Sequence, residues 1–132
     1  MRFAVIAHSS SPTNLALAAG GWDGVRGEPT HVGRCHCADC RKVSGGAFTL
    51  YGQWPLEAFV LTGELATFRE ERFCGTCGSP IGQIADEGVE LYLGTLDDAP
   101  NGLVPEAELW IKRREPWIPP VEGASQHVEN RH

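Results

Sequence analysis

The sequence predicts a small, mainly β domain of short strands and many turns, and two observations predict it. Its 16 glycines and 9 prolines make 25 of 132 residues, about 19%. That lies below the roughly 25–30% that marks disorder, yet it breaks the chain every few residues. Between the breaks, apolar residues fall in short alternating runs such as Val89-Glu90-Leu91-Tyr92-Leu93, the period of a half-buried strand. At this length one domain suffices.

Taken in order, the first 33 residues are the least legible. Phe3 to Ala7 is apolar, and Leu15 to Ala19 reads as a short helix stopped by Gly20-Gly21. The polar stretch from His8 to Asn14 interrupts any apolar run, which argues against a signal peptide, and nothing approaches membrane-spanning length. Gly27 to Val32 reads as a turn into an extended segment that delivers Cys35. Ala47 to Tyr51 alternates as a strand that Gly52 ends, and Pro55 to Phe59 suggests one helical turn with proline at its start. Glu64 to Arg69 is a short strand. Ile81–Ala85 and Val89–Leu93 form a hairpin around Asp86-Glu87-Gly88. Glu108 to Lys112 is the last strand, Trp117 among its prolines is a rigid surface segment, and the chain is expected to fray from Glu122.

The chemistry concentrates in Cys35-His36-Cys37-Ala38-Asp39-Cys40. In an extended chain Cys35 and Cys37 project to one side and His36 to the other, so His36 is a poor ligand. A turn after Cys37 lets Cys40 complete a three-thiolate face, because a two-residue spacer is the usual zinc-knuckle geometry. Three protein ligands leave a coordination position open, the pattern of a catalytic zinc. A four-ligand site is scaffold. Spacing also permits that second arrangement, with Cys37 and Cys40 joining the later pair Cys74 and Cys77 in one structural zinc. An odd count of five cysteines in such spacings points to metal ligands in a reducing, cytoplasmic compartment. A net charge of −6 disfavours nucleic acid, although a local basic pocket can still hold an anion.

Several motifs in order carry a resemblance. They are Cys35 to Gly45, Gly63-Glu64, Arg72-Phe73-Cys74-Gly75-Thr76-Cys77-Gly78-Ser79-Pro80-Ile81, Gly94-Thr95-Leu96-Asp97-Asp98, Trp110 and Pro116-Trp117. Over about residues 27 to 120 the chain resembles the glutathione-dependent formaldehyde-activating enzyme (Gfa) family, also called centromere-protein-V-like. The resemblance implies an Mss4-like fold of small coiled antiparallel sheets around zinc-binding knuckles. It also implies a catalytic-type zinc on Cys35, Cys37 and Cys40, with Cys74 and Cys77 as half of a structural zinc. The family's other half, an upstream Cys-x-Cys-Gly pair, is replaced by Gly20 to Arg26, so residues 1–26 form an atypical, poorly ordered segment before the domain at 27–120 and the tail at 121–132. Asp23, His8 or His31 could stand in for the missing ligands. Glu108 occupies a position where the family usually has histidine.

The activity so implied is that of a carbon–sulfur lyase that adds a thiol such as glutathione to formaldehyde or a related aldehyde, giving S-hydroxymethylglutathione. Glutathione's carboxylates need cations, for which Arg41, Lys42, Arg72 and Arg113 lie nearest the motifs. Each is equally readable as a solvated charge. Ser44 and Ser79 could bond metal thiolates or simply cap turns. The competing reading is a non-catalytic zinc scaffold that binds a protein partner or a small thiol.

Overall fold

The computed structural model describes residues 2–3, 23–61, 64–97 and 99–131. In chain order the strands are β1 (Arg2–Phe3), β2 (Asp23–Val25), β3 (His31–Cys35), β4 (Thr49–Trp54), β5 (Phe59–Val60), β6 (Ala66–Phe68), β7 (Glu71–Phe73), β8 (Pro80–Ala85), β9 (Gly88–Tyr92), β10 (Ala107–Leu109) and β11 (Ser125–Gln126). The helix α1 (Ala38–Ser44) follows β3. Strands β1-β2-β5 form a small antiparallel sheet. The other eight form one sheet in the order β11-β10-β3-β4-β9-β8-β7-β6. This mainly β architecture is consistent with the Mss4-like fold. Among the described residues no helix is long and apolar enough to cross a membrane.

Period-two alternation sorts the central strands onto two faces. Val32, Trp54, Val89 and Leu91 lie on one face and are buried together with Val25 of the small sheet, Cys74, Ile81, Leu93 and Leu96. Phe59 and Ala58 pack against this cluster, so the main core lies between the two sheets. The opposite face is polar and aromatic. Cross-strand register sets Tyr51 beside Tyr92, Gln53 beside Glu90, Glu90 beside Gln83, and Gln83 beside Glu71. Cys35 and His31 share that face, because they pair with Thr49 and Gln53.

Two of the glycines on these strands are dictated by aromatic rings. A Cβ on Gly33 would sit 2.3 Å from the Tyr51 ring, so the ring lies directly over the β3 backbone. A Cβ on Gly52 would meet the Trp54 ring at 2.7 Å. Gly52 therefore continues β4 to Trp54 instead of ending it, since a neighbouring side chain fills the space a strand glycine leaves empty.

The segment after Cys37 is more ordered than a bare knuckle. Cys37 caps α1, its Sγ accepting the Cys40 N–H at 3.3 Å. The helix stops at Gly45, whose N–H returns to the Arg41 carbonyl at 2.9 Å. At the other end of the chain β10 stops at Leu109, short of the expected end at Lys112, because Trp110 turns left-handed (φ 56°) into a 3₁₀ turn over Ile111–Arg113. Nor is this the last strand. Beyond Glu122, where fraying was expected, β11 pairs in parallel with β10. The short 3₁₀ turn over Leu56–Ala58, the strand near Glu64–Arg69 and the hairpin of β8 and β9 lie where the sequence puts them. The helix expected over Leu15–Ala19 lies outside the described residues.

Candidate metal centre

Strand β3 ends at Cys35, and the chain turns through Cys37 into α1, which carries Cys40. The three Sγ atoms lie within 4.8 Å of one another. A tetrahedral zinc with bonds of about 2.3 Å needs sulfurs roughly 3.8 Å apart, so closure asks the widest pair to approach by only about 1 Å. Soft donors of this kind suit zinc. Among the described residues this is the one group of three or more potential ligands, and neither Cys74 nor Cys77 joins it. The alternative of one zinc shared by Cys37, Cys40, Cys74 and Cys77 is thus not the arrangement the fold builds. None of the five cysteines forms a disulfide.

The thiols share one negative charge. The Cys40 thiol donates to Cys35 and, with the help of the Cys37 groups and against the effect of burial, lowers the Cys35 thiol to about 6. Cys37 is pushed up mainly by burial, and Cys40 mainly by the bond it donates to Cys35. At neutral pH the unmetallated cluster is therefore a Cys35 thiolate flanked by two thiols. Tyr51 and Tyr92 pack against Cys35, with Leu109 and Trp110 alongside. Thr49 ties the helix down by donating its hydroxyl to the Cys40 carbonyl at 2.8 Å.

Cys37 and Cys40 open onto a cleft of about 440 Å³ that is also lined by Lys42, Arg69, Glu70, Glu71 and Gln83. In it, Glu71 accepts one hydrogen bond from Gln83 Nε2 at 2.8 Å and a second from the Tyr92 hydroxyl. A neighbouring hollow of about 350 Å³ beyond Gln83 is lined by Thr30, Gln53, Glu87 and Glu90. Its lining holds no cysteine.

His36 faces away from the sulfurs, fully buried, with Nε2 3.0 Å from Glu108 Oε1. Burial lowers its pKa more than Glu108 raises it, so the ring is neutral at pH 7 and donates Nε2–H. Its buried Nδ1 has no hydrogen-bond partner among the described residues. Glu108 also accepts from Arg34 Nε (2.7 Å), the Val121 N–H (2.7 Å) and Gln126 Nε2 (2.8 Å). Glu108 is thus an anion with its own cation, Arg34.

The expected substrate cations separate. Lys42 lines the cleft. Arg41 instead bonds Glu115 at 2.8 Å and the Arg113 carbonyl at 3.1 Å. Arg72 alternates to the face opposite Glu71 and bonds the Glu70 carbonyl at 3.3 Å. Arg69, which the sequence reading passed over, takes its place in the cleft from the left-handed position (φ 55°) of the turn between β6 and β7. Ser44 caps its turn, donating to the Phe48 carbonyl at 3.0 Å and accepting from Gly46 N–H at 3.1 Å.

Cys74 is buried in the main core, where the N–H of Thr76 points at its sulfur from 3.4 Å. Burial opposes its ionisation, but the Cys77 and Thr76 hydrogen bonds outweigh that and lower its pKa. Of the proposed substitutes for a completed site here, His31 has both ring nitrogens engaged, Nδ1 with Glu106 at 3.0 Å and Nε2 with the Tyr51 hydroxyl at 3.3 Å. His8 lies outside the described residues, and of Asp23 only the strand position in β2 is described.

A model of the family described as glutathione-dependent formaldehyde-activating enzyme matches residues 24–113, well over half of the chain. The chain belongs to that family. No curated protein matches it. As a Gfa-family protein it has a three-cysteine cluster capable of holding a metal, and the cleft residues Arg69, Glu71 and Gln83 come from the turn before β7, from β7 and from β8, with Tyr92 of β9 bonded to Glu71. Period-two alternation from Cys35 across the register would have put Tyr92 and Glu71 on the cluster's face, but only once strand order was known.

Proposed function

We propose that this protein is a zinc-dependent carbon–sulfur lyase of the Gfa type, joining a thiol such as glutathione to formaldehyde or a related aldehyde. The observation that carries the proposal is the cluster of Cys35, Cys37 and Cys40 opening onto a cleft with room for a small thiol. Three thiolates leave one position of a tetrahedral zinc for a substrate sulfur, and zinc held there would supply a site that favours the ionised form of a thiol. In the addition, the thiol sulfur forms a bond to the carbonyl carbon, the C=O π bond breaks, and the thiol proton ends on the new hydroxyl.

The chain's own residues position the substrate. Lys42 and Arg69 are the cleft cations that can meet the carboxylates of a peptidic thiol. Cys35 is fixed by Tyr51 and Tyr92, while Cys37 and Cys40 border the cleft. The cysteine pair Cys74 and Cys77 is read as a structural knuckle, outside the reaction. The test is exchange NMR of glutathione and formaldehyde with zinc-loaded protein. S-hydroxymethylglutathione should form and break faster than without protein, and the acceleration should vanish in Cys37→Ser and Cys40→Ser.

One observation favours the scaffold reading: Arg41, beside the cluster, is spent on Glu115. For a scaffold that binds a protein partner, glutathione would leave the visible spectrum of the cobalt-substituted protein unchanged. Under the lyase reading it would shift it.

A further inference from the structure

Glu71 has no part in the reaction as described so far, yet it lies in the same cleft as Cys37 and Cys40. We propose that Glu71 is the proton carrier of the addition, taking the thiol proton as sulfur approaches the aldehyde and returning it to the carbonyl oxygen. This inference rests on the lyase reading of the cleft. Its grounds are geometric. Strand β7 turns Glu71 to the cleft face, whereas its neighbours Arg72 and Glu70 do not share its fixed partners. Gln83 Nε2 donates to Oε1 at 2.8 Å and the Tyr92 hydroxyl donates to Oε2. Two donors, one to each oxygen, hold the carboxylate in a single orientation and leave each oxygen a further lone pair for a proton.

The two donors link the carboxylate to the metal cluster. Tyr92 packs in the same group as Cys35 and Tyr51, with Cys37 and Cys40 against it, so its ring spans from the cysteines to Glu71. Gln83 is itself held in register between Glu71 and Glu90 across β7, β8 and β9. Tyr92 and Gln83 are positioning residues, and Glu71 is the group that meets the reacting atoms. The proton balance is closed: one proton leaves sulfur, one arrives on the hydroxyl, and Glu71 ends as it began. The other carboxylates at the rim, Asp39 and Glu70, have no hydrogen-bond donor holding them among the described side-chain contacts of the cleft, so they lack the fixed aim that proton transfer needs.

The test uses zinc-loaded full-length protein with glutathione and formaldehyde, following exchange by NMR, with bound zinc and thermal melting measured on the same samples. Positioned proton transfer is worth about 10²–10⁴-fold. Glu71→Gln is expected to lower kcat by that order while KM for glutathione and zinc content stay within about twofold. Glu71→Asp should recover part of the loss, and Tyr92→Phe should lower kcat by a smaller factor, again without moving KM. Wild-type turnover in a Glu71→Gln protein that melts normally would overturn the inference while leaving the lyase reading intact. A loss of rate that follows a loss of zinc would also overturn it, by making Glu71 structural. Wild-type protein that gives no acceleration would overturn the lyase reading itself, and with it this role.

Discussion

Glu108 shows how a single side chain fixes the cluster from behind. The residue is fully buried, and through it His36, between two of the cysteines, is tied to Arg34, Gln126 and the Val121 N–H. Burial alone would raise its pKa. The hydrogen bonds from His36, Gln126, Val121 and Arg34 outweigh burial and hold the carboxyl at about 2. Removing it leaves Arg34 buried without its anion, so Glu108→Ala is expected to cost about 3–5 kcal/mol in denaturant unfolding of zinc-loaded protein. The pH dependence has a definite sign. With a folded pKa below the ordinary 4.5, the carboxylate's contribution is full above about pH 4.5 and is lost as pH falls toward 2. That loss amounts to about 3 kcal/mol. His36, whose pKa is also lowered, adds a contribution that fades below its ordinary 6.5. Stability curves of wild type and Glu108→Gln should therefore converge below pH 4.5 and run parallel above 6.5, where His36 is neutral in both. Curves that stay parallel down to pH 2 would remove Glu108 from this role.

At the scale of elements, the hairpin of β8 and β9 was legible because its signal is local: Val89 and Leu91 face the core, Glu90 and Tyr92 the opposite face, and a glycine turn sits between the strands. Elements whose evidence is distant were not. Helix α1 has seven residues and a cysteine cap, and neither its length nor Cys37 is an ordinary helix signal. Strand β11 is two residues long and exists through a parallel pairing with β10. Arg41 and Arg72 lie away from the cleft lining for the same reason. Arg41 stands next to Cys40 in sequence, but its partner Glu115 is 74 residues away. Arg72 and Glu71 are neighbours on opposite faces, and which face meets the cluster depends on register. Register also yields a test in β3. A methyl group on Gly33 has no space beneath the Tyr51 ring, and that ring packs on Cys35. Gly33→Ala is expected to destabilise the protein by about 1–3 kcal/mol, as overpacking does, and to weaken zinc binding. Unfolding and zinc competition with a chelator measure both, and an unchanged zinc affinity would separate Tyr51 from the cluster.

For the whole molecule the decisive quantity is metal count together with the protons metal displaces. The fold keeps the five cysteines in two groups, Cys35, Cys37 and Cys40 at the open end of β3, and Cys74 with Cys77 in the turn before β8. Two thiolates do not fill a tetrahedral zinc, so firm binding is expected at the three-cysteine cluster alone, at about one zinc per chain. Cys35→Ser should abolish that zinc. Cys74→Ser should keep it, while losing stability because Cys74 is part of the packed core. The cluster's ionisation adds a second, independent number. Cys35 is already a thiolate at pH 7, whereas Cys37 and Cys40 are held as thiols. Binding needs all three deprotonated, so loading the cluster should release about two protons per zinc. Calorimetry of zinc binding in buffers of different ionisation enthalpy reads that number directly. Release near three would mean that Cys35 is protonated before zinc arrives, and retention of tight zinc by Cys35→Ser, with its loss in Cys74→Ser, would return the protein to a single structural site built on Cys74 and Cys77.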